Sequence, residues 1–354
     1  MGGPWRYISA KVRRSFSVPV IFSSSLVFPV ITAFWEIISM SICTAKLCRK
    51  LPIETVITYN YYPSSLMAAW TAYAMLGLRP ILQLEDVCVP KREDWCGTGD
   101  RRPMFQLVGW ILMKCAKSIS LGFIVPTKRF ITARDTRDAL LVTGCNEVQL
   151  TTKKKQMLDR KVQILCGGLL DEEQGIKLFL AALQHLVSGD CRVLSRIEVH
   201  ICGVAVEELE LTRHIKQLQD NGLSIAYHGQ LTRKAYFDLL GRVDICVALQ
   251  RVHGRHESNK IPSKVYEYIS HGKVVISTKI ESFLEMPSDV LLLCDEDPQE
   301  VASVLSNLSE NRPEIERRRI VALKYSEHEF TPAVVGHRLR QFLDAVRSRN
   351  GVVI

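Results

Sequence analysis

No Cys-x-x-Cys pair occurs among the 11 cysteines of this chain, which are scattered from Cys43 to Cys294. An odd number without paired spacing argues against a disulfide framework or a zinc finger. Thiols inside apolar runs, such as Cys166 and Cys202, read instead as buried and free in a reducing compartment. Histidine is missing from the first half, since all nine lie at or beyond His185. His253 and His256 are close together but lack a partnering cysteine or carboxylate array, so no metal is expected. There is no internal repeat and no low-complexity tract. No basic run is interleaved with stacking aromatics, which argues against nucleic acid as a partner.

Acid is scarce in the first sixty residues. Glu36 and Glu54 face seven Lys/Arg there, which accounts for more than half of the formal net charge of +9. That balance favours anionic partners, either a nucleotide diphosphate or a phospholipid surface. The stretch 18–43 is apolar apart from serines, a threonine and Glu36, and basic residues flank it on both sides. Pro19, Pro29, Glu36 and three consecutive serines argue against a spanning helix, and the free cysteines behind it argue against a signal peptide. The expectation is a core helix or one lying on a membrane face, in a cytoplasmic protein peripheral on the inner face of the membrane.

What is present is a βαβ alternation. At 354 residues with 47% hydrophobic content, the chain is long enough for two α/β domains. In the first half, strands are predicted over 55–59, 80–84 and 119–125, with helices over 64–76 and 104–117. In the second half, strands over 162–166, 196–202, 224–228, 244–249, 274–278 and 290–294 alternate with helices over 176–187, 206–219, 233–240, 263–270 and 298–308. That is a doubly wound parallel sheet of the Rossmann kind. The glycines of Met1-Gly-Gly-Pro-Trp5 precede any strand, so the expectation is either an abbreviated N-terminal domain or a chain that begins inside its ancestral domain. Domain boundaries are set at 1–155 (acceptor side), 156–326 (nucleotide side) and 327–354, the last a C-terminal helix that could return to the first domain.

Two stretches carry chemistry. In Leu165-Cys-Gly-Gly-Leu-Leu-Asp-Glu-Glu-Gln-Gly175-Ile176 a strand runs into Gly167 and Gly168, an acidic turn and a helix. Glycines there let backbone N–H groups and a helix N-terminus approach a diphosphate, although such pairs are more often plain tight turns. In the second, a polar loop enters a helix at Pro262, with free amides at Ser263 and Lys264, the Lys264 ammonium, and Glu267 one turn in. A carboxylate there can accept two hydrogen bonds from a ribose diol. The alternative is an amphipathic helix with a solvated Glu267, Gly272 as its C-cap and a buried strand behind.

Taken together, Gly168-Leu169-Leu170 with Gln174-Gly175, then His228-Gly229, then Asn259 with Glu267, then Ser270-His-Gly-Lys-Val-Val275 resemble the family-4 retaining glycosyltransferases of the two-domain GT-B fold. The Pro262-Ser-Lys264 variant resembles the branch that works in capsule and exopolysaccharide synthesis. The resemblance implies donor contacts from Gly167, Gly168, His228, Gly229, Ser263, Lys264 and Glu267, with Asn259, Lys264 and Glu267 as catalytic residues. It departs from the family where an arginine and a lysine are replaced by Leu169 and Gln174, and where the first glutamate of a pair is Asn259. Diphosphate neutralisation would then rest on amides and Lys264, with Lys260, Arg251 or Arg255 nearby.

The implied activity is transfer of a sugar from a nucleoside diphosphate donor to a saccharide or polyprenyl-linked acceptor, with retention and without a cofactor or metal. The alternative is a non-catalytic protein of the same fold that binds nucleotide sugar or a partner enzyme as an assembly subunit. A nucleotide-sugar epimerase on this architecture would need an acid/base set that cannot be assigned.

Overall fold

The computed structural model describes residues 12–15, 18–21, 29–60, 62–84, 111, 114–126, 138–142, 144–148, 160–189, 191–252 and 262–349. Two compact units are present, one from the described parts of 1–142 and 339–354, the other from 143–338.

The first unit opens with an antiparallel pair, β1 (Val12–Ser15) and β2 (Val18–Ile21), followed by helix α1 (Pro29–Lys50). The single helix expected over 18–43 is therefore divided. Pro19 sits in a strand, where proline's fixed φ is tolerated, and Pro29 starts the helix, where its missing N–H costs nothing. No helix among the described residues is long and apolar enough to cross a membrane. Next come β3 (Ile57–Tyr59), α2 (Pro63–Leu76), β4 (Ile81–Gln83), β5 (Gly122–Val125) and β6 (Ala139–Leu141). β3 to β6 form a parallel sheet in sequence order, with no reversal among the described strands. Leu66, Leu82, Leu84, Phe123 and Val125 build the core on one face of it.

The second unit contains β7 (Val162–Leu170), α3 (Ile176–Ser188), α4 (Cys191–Arg196), β8 (Ile197–Ala205), α5 (Glu208–Asp220) and β9 (Ile225–Tyr227). It continues with α6 (Arg233–Arg242), β10 (Ile245–Ala248), α7 (Ser263–Ser270), β11 (Val274–Thr278), β12 (Leu291–Cys294), α8 (Pro298–Glu310) and α9 (Arg312–Glu329). The six strands are parallel in the order β12-β11-β10-β7-β8-β9. This is the Rossmann order, with its reversal between β7 and β10, where such folds bind ligands beyond the strands' C-terminal ends.

Period-two alternation explains the layers. Val162 and Ile164 of β7, Ile245 and Val247 of β10, and Val274 and Ile276 of β11 enter the core on one face. Leu165, Cys246 and Val275 enter the core on the other. Both faces are covered, so the strands read as continuous apolar runs. Capping residues fix the helix starts: Thr232 Oγ1 accepts from Ala235 N, Asp297 from Gln299 N, and Asn311 from Glu314 N.

The last helix, α10 (Pro332–Arg349), follows a break at Phe330 and Thr331 and occupies the region where a C-terminal helix is expected. Its residues from 339 onward belong to the first unit. There Phe342 and Val346 pack on Ile81 and Ile124, the sheet face opposite Phe123. Gly122 leaves room for this, since a Cβ there would stand 3.0 Å from the Phe342 ring. Arg347 anchors the helix through Thr55 Oγ1 (3.1 Å from Nε) and Glu54 (3.2 Å).

Candidate donor site at the sheet reversal

The structure alters the reading of Gly167 and Gly168. They do not form a turn. β7 continues through them to Leu170, paired in register with β8, so that Gly168 lies opposite Gly203. The turn comes later, at 171–175, where Asp171 Oδ1 accepts from Gln174 N at 2.6 Å and Gly175 adopts φ +82. A Cβ at Gly175 would overlap the Leu249 carbonyl, so glycine is required for β7 and β10 to close up at the reversal. The amides of Gly175 and Ile176 bond to Glu172 O and Asp171 O, so this turn satisfies its own donors.

Gly168 and Gly203 both have positive φ, +123 and +134, and a Cβ on Gly203 would run into the Gly168 carbonyl. Gly203 N–H in turn donates to Gly229 O at 2.8 Å. Three glycines thus form a side-chain-free row across the C-terminal ends of β7, β8 and β9. Lys264, in the first turn of α7, lies over its β7 end. Its Nζ donates to Gly167 O at 2.5 Å, and a Cβ on Gly168 would overlap that ammonium. Burial pushes the Lys264 ammonium below the usual lysine range, opposed by the neighbouring Cys166, Cys202 and Glu267. Burial also pushes the Cys166 thiol up to about 12.

Two cavities flank this lysine. One, of about 150 Å³, is bounded by Gly167, Leu169, Gln174, Gln250, Ser263 and Lys264. The other, of about 290 Å³, is bounded by Gly168, Leu169, Gly203, Gln230, Tyr236 and Lys264. Lys264 is the one charged side chain lining either of them among the described residues. A larger cavity of about 720 Å³ lies between α3 and α5, but Asp171, Glu172, Glu173, Glu207 and Glu210 line it. Five carboxylates against Lys177 and Arg251 do not suit a diphosphate, so size is not the deciding property here.

The remaining expected residues divide. Ser263 is exposed at the N-terminus of α7, where a helix leaves amides for an anion. Glu267 is half-buried, and its Oε1 accepts from Tyr236 OH at 2.5 Å. His228 is exposed, and its Nε2 lies 3.1 Å from His200 Nδ1. His200 Nε2 meets Gln163 Oε1 at 2.5 Å, and Gln163 donates to Glu198. Burial lowers both imidazoles below their ordinary range. Gly229 contributes to the glycine row. Asn259, together with His253, Arg255, His256 and Lys260, falls outside the described residues.

Arg251 is already occupied by Glu172 at 2.5 Å, with Glu296 at 3.9 Å. Leu169, 48% exposed, and Gln174, which accepts from Gln250 Nε2 at 2.6 Å, stand at the positions where the resemblance implies an arginine and a lysine. Lys273 of the His-Gly-Lys stretch serves the fold. Buried, it donates to Val243 O at 2.9 Å and Gly241 O at 3.3 Å at the end of α6, and burial lowers it to about 8.

Sequence reasoning missed three features. Gly203 was hidden because its partner strand is distant in sequence. Tyr236 carries no local signal at all. An Asp-x-Asp spacing does occur, at Asp295-Glu-Asp297, and its carboxylates are engaged: Asp295 with Lys279 at 2.7 Å, Glu296 with Val252 N and Asp297 with Gln299 N. Among the described residues no group of three or more His, Cys, Asp or Glu is arranged to hold a metal ion.

Gly168→Ala should therefore lower folding stability by about 1–3 kcal/mol in urea unfolding, because the new methyl meets the lysine and the backbone lies in a glycine region. An unchanged midpoint would mean that Lys264 does not rest on this strand.

Residues 160–311 match the family model for glycosyl transferases group 1. No curated protein matches the chain. Among solved structures, an α,α-trehalose-phosphate synthase (UDP-forming) from Burkholderia xenovorans in complex with glucose-6-phosphate is similar at 11% identity and a TM-score of 0.66, over 98% of this chain and 90% of that one. The α,α-trehalose 6-phosphate synthase of Burkholderia multivorans gives 12% and 0.67, over 98% and 88%. An E. coli trehalose-6-phosphate structure bound with UDP-2-fluoro glucose gives 12% and 0.63, over 92% and 80%. At these identities the likeness concerns the fold. On its group 1 domain and that fold, the chain is a glycosyltransferase of the GT-B type.

Proposed function

We propose that the chain transfers a sugar from a nucleoside diphosphate donor to a saccharide or polyprenyl-linked acceptor, with retention, in cell-surface polysaccharide or glycoconjugate synthesis. The observation that carries this reading is Lys264 at the start of α7, lying over the glycine row where the sheet order reverses. In this reading the leaving diphosphate is held by the α7 amides and Lys264, while Glu267, one turn on, takes the ribose diol. Asn259 holds a sugar hydroxyl, and His228-Gly229 borders the donor. One similar structure holds UDP-2-fluoro glucose, a ligand of this class. Glu267→Gln should weaken binding of the donor nucleotide at least about tenfold, since charge-assisted hydrogen bonds contribute roughly 1.5–3 kcal/mol each, and should lower folding stability by only about 1 kcal/mol, because the amide oxygen can still accept from Tyr236. Unchanged affinity by calorimetry on the folded variant would remove this assignment.

The half-exposed Leu169 and the neutral Gln174 favour a second reading, an assembly subunit that binds donor without consuming it. Turnover measured beside binding separates the two.

The proposal includes peripheral association with the cytoplasmic face of an anionic membrane. Its support is the surface of α1 and α2. Along α1, Ile38, Ile42, Lys46 and Arg49 are exposed at helical spacing, apolar first and basic last. α2 has no charged residue, yet exposes Met67, Trp70 and Tyr73 on one face. Apolar and aromatic side chains beside lysine and arginine suit the headgroup region of an anionic bilayer. The protein should co-float with phosphatidylglycerol vesicles at low salt, and Ile42→Glu with Trp70→Glu should abolish this. Equal flotation of wild type and variant, or none by the wild type, would overturn it.

A further inference from the structure

Tyr236 lies on α6, and its hydroxyl donates to Glu267 Oε1 at 2.5 Å across to α7. Burial, and then the Glu267 carboxylate, raise the phenol well above its ordinary range, so the hydroxyl stays protonated and remains a donor. The ring is fixed by an edge contact with Phe237 at 5.4 Å. Phe237 stacks on His271 at 5.4 Å, and His271 Nδ1 meets Glu267 O at 2.8 Å. The same ring borders the larger of the two cavities beside Lys264.

A glutamate on a helix has several side-chain torsions and would otherwise lose that freedom on binding. The tyrosine removes it in advance and occupies one carboxylate oxygen. Resting on the proposed reading of Glu267, we infer that Tyr236 is a positioning residue that aims the second carboxylate oxygen at the ribose hydroxyls. It thereby sets the preference for ribonucleotide over 2′-deoxyribonucleotide donors.

The test is calorimetry with UDP, GDP and ADP and their 2′-deoxy counterparts, taking the ratio of the two dissociation constants for whichever base binds. Both nucleotides are measured on the same protein, so a general loss of stability does not move the ratio. The wild type should prefer the ribonucleotide by about tenfold or more. Tyr236→Phe keeps the ring and should reduce the ratio to about threefold or less, and in a Glu267→Gln background it should change the ratio no further. If Tyr236→Phe does not fold, Tyr236→Leu likewise removes the hydroxyl while keeping Glu267, and should reduce the ratio in the same way. A ratio retained in Tyr236→Phe or Tyr236→Leu overturns the inference but leaves the donor site standing. Failure of all these nucleotides to bind the wild type overturns both.

Discussion

The contact on which the site depends is the Lys264 ammonium resting on the backbone of β7, bonded to Gly167 O and occupying the space a side chain at Gly168 would need. A half-buried ammonium is costly without a partner, and a neutral carbonyl leaves its charge uncompensated. A diphosphate oxygen offers the same ammonium a partner of opposite charge. Everything around the lysine follows from that placement. The glycine row must be bare, Gly203 must leave room for the Gly168 carbonyl, and α7 must begin at the sheet reversal.

Several features were legible in the sequence because local chemistry decides them. Helix α7 and strand β11 have the limits read from Pro262 and Gly272, residues whose backbone preferences start and stop a helix. The six strands of the second unit were visible as apolar runs because both faces of the sheet are covered. What was misread depended on partners far along the chain. Gly167-Gly168 looks like a turn until β8 is placed alongside with Gly203 in register. Tyr236 looks like any tyrosine on an amphipathic helix until α7 brings Glu267 to it. Lys273, part of the resemblance, proves to be a buried cap on the end of α6.

The first unit was read less well for a related reason. Its strands are only three or four residues long and its prolines admit several conformations, so the apolar stretch 18–43 offered one helix where the fold has a strand and a helix. Closing its sheet from the chain's far end, through Phe342 and Val346, is a long-range decision that no local pattern announces.

Hydrogen–deuterium exchange with and without UDP-glucose and GDP-mannose tests the central claim most directly. If the donor diphosphate is held where Lys264 crosses β7, protection should appear in peptides covering 166–170 and 262–268 and be absent from those lining the acidic cavity between α3 and α5. Protection confined to that acidic cavity, with 262–268 unchanged, would contradict the account.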